Sequence, residues 1–70
     1  MAWNPHTLKA LREQRCWTQS ELAQRVGVHR VTITRLETGT LRPGVDLFEA
    51  LAKALNVKVT DLLTVRRGNA

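Results

Sequence analysis

The sequence predicts an all-α fold, a compact five-helix domain, on three observations. Leu, Val, Ala and Ile carry nearly all of the apolar content, with only two Pro, four Gly, two Trp and one Phe in the chain, a balance that favours packed helices over a strand-rich barrel. Apolar residues recur at helical spacing, between local signals that start and stop helices. The chain has 70 residues, enough for one domain that buries roughly 60% of its unfolded surface and too few for an elaborate active site.

Asn4 before Pro5 opens the first helix, since Asn accepts from free backbone amides and Pro is pre-set for the first helical position. That helix is expected over residues 5–15, with Leu8 and Leu11 inward and Lys9, Glu13 and Gln14 in water; Trp17 should then cap the core. Thr18-Gln19-Ser20-Glu21 fits a capping box that starts the second helix. Leu22, Ala23 and Val26 form its inner face, and Gly27 ends it where a left-handed backbone is easy only for Gly.

Val31-Thr32-Ile33-Thr34 are four β-branched residues in a row, which alone read as strand. Ile33 and Leu36 nevertheless stand at helical spacing, Gly39 follows as a stop, and no partner strand is evident elsewhere. A third helix is therefore expected over residues 30–38. A polar connection runs from Thr38 to Gly44, with Arg42 projecting from it. The fourth helix follows with Val45, Phe48, Leu51, Ala52 and Leu55 inward and Asn56 as a left-handed cap. A short fifth helix is expected over residues 59–64. Residues 1–4 read as an N-terminal arm, 5–64 as the domain and 65–70 as a flexible tail.

The formal charge is +5, which suits a polyanionic partner. Seven Lys and Arg oppose three Glu through Pro43, a surplus of four, whereas four oppose three acids from Gly44 onward. The anion-binding face should thus lie in the N-terminal part. A lone Cys16 forms no internal disulfide and fits a reducing, cytoplasmic setting at the nucleoid. No apolar run approaches the ~20 residues of a membrane span, and no signal-peptide core stands at the start. His6, His29 and Cys16 lack metal-ligand spacing, no Gly-rich phosphate loop occurs, and Glu21 is occupied in a cap. Neither a metal, a cofactor nor catalysis is expected.

Gln19, Ala23, Gly27 and Ile33 stand four, four and six residues apart, and with the ELAQRVGV and TRLETG strings they resemble the helix-turn-helix of the phage-repressor and Cro class. The physical requirements match: a small residue where two helices cross, a Gly at the bend, and apolar anchors from the second helix. The resemblance runs from about Leu8 to Leu63 and implies a lambda-repressor-like fold. Three positions depart from the usual pattern. Cys16 stands where Gly is common, His29 replaces a Ser or Thr cap, and Lys58 replaces a similar cap.

The resemblance implies that the third helix enters the major groove of double-stranded DNA, where base edges are distinguishable. At ~100° per residue, Ile33 and Leu36 face the core, Val31 and Thr34 point away, and Arg30 and Arg35 flank them. Arg can grip guanine, and Val or Thr methyls can pack on a thymine methyl. Arg30, Val31, Thr34 and Arg35 are therefore the expected base readers. Gln19, which family members place on the DNA backbone, is expected there with Arg42, and His29 either reaches a phosphate or serves as a cap. Glu37, near the wrong end of a helix dipole, needs a cation, and the resemblance places Arg12 beside it as a structural ion pair.

The implied activity is sequence-specific transcriptional regulation by a homodimer on a near-palindromic operator, with Val57, Val59, Leu62 and Leu63 offering apolar surface for the second copy. An antitoxin that also binds a toxin protein is the alternative. A basic amphipathic domain for RNA or membrane surfaces fits less well, because the outward face of the third helix is not uniformly basic.

Overall fold

The computed structural model describes residues 2–64, and the tail expected over 65–70 lies outside the described residues. Four α-helices follow in order: α1 (Pro5–Gln14), α2 (Gln19–Val26), α3 (Arg30–Thr38) and α4 (Val45–Leu55). A single 3-10 turn, Val59–Leu62, stands where a fifth helix was expected. Its first amide, Lys58 N–H, donates to Asp61 Oδ2 at 3.0 Å. The turn stops after four residues because Leu63 adopts an extended backbone and pairs with another segment.

That segment is Ala2–Trp3 (β1), antiparallel to Leu63–Thr64 (β2), with Trp3 opposite Leu63. The ribbon lies partly within the stretch read from sequence as an arm, and it corrects the expectation that no strand pair exists. Two-residue strands carry no periodicity for a sequence reading to detect. Asn4 continues the attachment, its N–H donating to Leu62 O at 3.1 Å.

Local chemistry explains the helix ends. Asn4 Oδ1 accepts from the amides of His6 and Thr7 at 3.1 and 3.4 Å. Thr18 Oγ1 accepts from Glu21 N–H at 3.0 Å while Glu21 Oε1 accepts from Thr18 N–H at 3.2 Å. Gly27 closes α2 with φ +87°, a conformation that costs an L-residue about 1–2 kcal/mol. Cys16 also has positive φ, at 57°; the backbone turn that usually takes Gly is thus kept without Gly.

The β-branched run of α3 is helical because Ile33 and Leu36 are fully buried against Leu8, Leu22, Leu51, Leu55 and Leu62. Burying each such side chain is worth roughly 1.5–3 kcal/mol, more than the few tenths by which β-branching disfavours helix. Trp17 is half-buried against this core. Two expectations fail in detail. Val45 remains 74% exposed, since as the first residue of α4 it extends past the core that Phe48 and Leu51 reach. Leu62 is fully buried, so it belongs to the core and not to a dimerisation surface.

Candidate nucleic-acid interface

The turn between α2 and α3 sets the second helix across the first, and α3 then presents one face inward and one outward. Its inward face consists of Ile33, Leu36 and Glu37, all buried. Its outward face carries Arg30, Val31 and Arg35, all exposed, with Thr34 half-buried at its margin. Neither Arg30 nor Arg35 has an acidic partner among the described residues, where the one ion pair joins Arg12 to Glu37. Val31, 38% exposed, stands on the same outward side of the helix. Such a face offers forked donors beside an apolar contact.

Glu37 accepts three hydrogen bonds from two side chains. Arg12 Nε donates to Oε2 at 2.6 Å and Arg12 Nη2 to Oε1 at 3.1 Å, a two-pronged contact between side chains only 10% and 3% exposed. Gln19 Nε2 donates to Oε1, also at 3.1 Å. Arg12 spends its last nitrogen on Trp17 O at 2.7 Å. The Glu37 carboxylate raises the pKa of Arg12 above its ordinary value, chiefly through the hydrogen bond, against the opposing effect of burial. The pair pins α3 to α1.

Gln19 extends the same series. Its Oε1 accepts from Thr34 Oγ1 at 2.8 Å, so its amide joins the buried carboxylate to the margin of the outward face. The Gln19–Thr34 bond escapes a sequence reading, because it depends on how α2 and α3 cross. The departure at His29 is also resolved: Nδ1 accepts from Val31 N–H at 3.0 Å. Because a backbone amide can only donate, the ring proton sits on Nε2 and points a donor elsewhere. Imidazole thus does the work of the Ser or Thr it replaces.

Arg42 is exposed in the loop after α3, and the loop is anchored by Thr40 and Leu41, whose amides both donate to Arg35 O at 3.0 and 3.1 Å. Sequence reasoning missed the surroundings of Trp17. The Arg25 guanidinium stacks over its ring at 4.2 Å and Arg15 lies at 5.9 Å. Arg15 also donates to Leu11 O at 2.9 Å and to Leu55 O, the latter tying α1 to the end of α4. Among the described residues no group of His, Cys, Asp or Glu could hold a metal ion, and no helix is long and apolar enough to cross a membrane.

Comparison with known proteins agrees with this geometry. The profile of the helix-turn-helix family matches residues 8–62. An uncharacterised HTH-type transcriptional regulator of Archaeoglobus fulgidus is 42% identical over 55 residues, covering 79% of this chain and 78% of its own length. Antitoxin HipB of Escherichia coli strain K12 is 31% identical over 55 residues, covering 79% of this chain and 62% of its own length. The crystal structure of the P22 c2 repressor with a synthetic operator superposes with a TM-score of 0.81 at 30% identity, covering 84% of this chain and 89% of that one.

Proposed function

The chain belongs to the helix-turn-helix family, and from that footing we propose that it is a transcriptional regulator that binds double-stranded DNA by sequence. The outward face of α3 carries this reading: exposed Arg30, Val31 and Arg35, without acidic partners among the described residues, on a helix locked from behind by Glu37. In the major groove, Arg30 and Arg35 donate to guanine acceptors, and Val31 with the Thr34 methyl packs on thymine methyls. Gln19, His29 through its Nε2 proton, and Arg42 hold the backbone phosphates. The likeness to the operator-bound P22 c2 repressor supports the same docking. The relatives that match are transcriptional regulators and an antitoxin, which favours a binding role over an enzymatic one.

One recognition helix spans few base pairs, so the protein works as a two-fold dimer on a near-palindromic operator with half-sites ~34 Å apart. Val57 and Leu63, both half-buried, and Val59, 39% exposed, supply the apolar contact. Such a regulator acts at the nucleoid, in the cytoplasm. Selection of bound duplexes from a random pool, followed by titration in salt, tests the proposal. A single enriched motif should emerge, and log affinity should fall by ~0.9 per log unit of salt for each neutralised phosphate. Equal affinity for unrelated duplexes, or a flat salt dependence, removes the reading.

A second reading rests on the likeness to antitoxin HipB: the protein also binds a toxin and controls its own operon through the same α3. A toxin gene beside its own, whose product co-purifies with the protein, distinguishes this from regulation alone.

A further inference from the structure

We infer that the outward face of α3 reads a pyrimidine by its C5-methyl group beside a guanine, so that 5-methylcytosine is accepted where thymine is and methylation of cytosine at that position strengthens binding. The inference rests on the DNA-binding reading above and deepens it by naming the chemical class of base that the face takes.

Donors and methyl groups are what the face offers. Arg30 and Arg35, both exposed and without acidic partners among the described residues, carry donors and no acceptor. Val31, 38% exposed on the same side, has no polar atom in its side chain. Thr34 gives its one hydroxyl hydrogen to Gln19 Oε1 at 2.8 Å, and the Thr38 hydroxyl, one turn on, donates to Arg35 O at 3.2 Å. The Gln19 amide is engaged at both ends, since its Nε2 donates to Glu37 Oε1 at 3.1 Å, and the Glu37 carboxylate is itself buried on Arg12. The helix, RVTITRLET, thus carries no amide side chain and no unpaired carboxylate.

Base edges in the major groove divide accordingly. Adenine and cytosine present amino groups, which are read by the acceptors of amide or carboxylate side chains, whereas guanine presents two acceptors and thymine a methyl group. The face therefore matches guanine through an arginine and a methyl group through Val31. Thymine and 5-methylcytosine share the methyl at C5 and differ at C4, where one carries oxygen and the other an amino group. A side chain with no polar atom bonds to neither C4 group, so Val31 distinguishes a methylated pyrimidine from an unmethylated one, and not the two methylated ones from each other. The partner base adds to this. 5-Methylcytosine pairs with guanine, whose N7 and O6 suit an arginine fork, while thymine pairs with adenine, whose amino group does not. A methylated C·G pair thus presents both features that the face can take.

A panel of operators separates the methyl group from the base that bears it. In the selected operator each thymine in turn is replaced by uracil, which removes the methyl alone, and each T·A pair in turn by C·G and by its 5-methylcytosine form. Affinities of the wild type and of Val31→Ala are measured on the panel, and a melting curve checks that the variant, altered at an exposed residue, is folded. In the wild type, uracil at one thymine of each half-site should weaken binding about fourfold, the worth of one buried methyl group. At that same place 5-methylcytosine should bind about fourfold more tightly than cytosine. Both ratios should fall to near one in Val31→Ala. Uracil without effect at every position, cytosine methylation without gain at the uracil-sensitive one, or ratios unchanged in Val31→Ala overturns the inference. Wild-type protein that selects no operator instead overturns the DNA-binding reading itself.

Discussion

Where α1, α2 and α3 meet, Arg12, Glu37, Gln19 and Thr34 are bonded in series, whereas α4, the 3-10 turn and the ribbon close through apolar side chains. In the second region Leu51, Leu55 and Leu62 are fully buried, and Trp3 meets Phe48 edge to face with ring centroids 5.5 Å apart. The chief polar tie between the regions runs from Arg15 to Leu55 O. Hydrogen bonds are directional and fix orientation, while apolar burial is non-directional and fixes only proximity. The helix proposed to face DNA adds directional bonds to its buried apolar anchors, Ile33 and Leu36. The helix that completes the core is held mainly by apolar burial.

The sharpest way to break that contrast is at Glu37. Glu37→Gln leaves the Arg12 guanidinium buried without its counter-charge, which should cost about 3–5 kcal/mol and lower the melting temperature by roughly 10 °C or more for a domain of this size. Replacing both partners, Arg12→Met with Glu37→Leu, should restore most of that stability, since well-packed apolar pairs commonly match buried ion pairs. DNA affinity should not return in full, because Gln19 loses its bond to Glu37 and keeps only that to Thr34. Thermal melting and operator titration of the two variants test both halves. A double variant with full stability and full affinity would show that the polar series adds nothing beyond packing.

Legibility from sequence divides along the same line. The caps at Asn4, Thr18 and Gly27 are local, so a few neighbouring residues reveal them. The meeting of Arg12 with Glu37 spans 25 positions and became visible through the family resemblance. The Gln19–Thr34 bond joins side chains of two crossing helices, and no local pattern encodes it. In the apolar region, spacing named Leu51, Ala52 and Leu55 correctly. It failed at the ends, placing Val45 inside and Leu62 outside, because periodicity identifies a helix face and says nothing of how far the core extends along it. The two-residue ribbon and the 3-10 turn lie below the length at which periodicity operates.

The apolar region should respond differently to damage. Leu51→Ala opens a cavity in a fully buried site and should cost about 2–5 kcal/mol, while the folded fraction keeps its base preference and its phosphate contacts. Denaturant unfolding gives the first quantity, and titration of the operator panel at low temperature gives the second. A Leu51→Ala protein that folds yet selects a different motif would show that apolar packing also sets the aim of α3.

The smallest effects separate two exposed cations of equal charge. Arg35 stands in α3 and Arg42 in the loop that follows it, both exposed, so loss of either removes one exposed positive charge. If Arg35 grips guanine, its contact exists on one base pair of the operator, and Arg35→Ala should cost ~1–3 kcal/mol there and relax selection at that position. Arg42 lies beyond α3, and a phosphate occurs at every step of any duplex. Arg42→Ala should therefore weaken preferred and random duplexes alike and reduce the salt slope by about one phosphate. Stability should be nearly unchanged in both, since exposed charges without partners contribute little to folding. Affinities of the two variants on a panel of single-base changes, at several salt concentrations, decide between the roles. A uniform loss in Arg35→Ala with preference intact would move Arg35 from reader to clamp, and base selection would then rest on Arg30, Val31 and the Thr34 methyl.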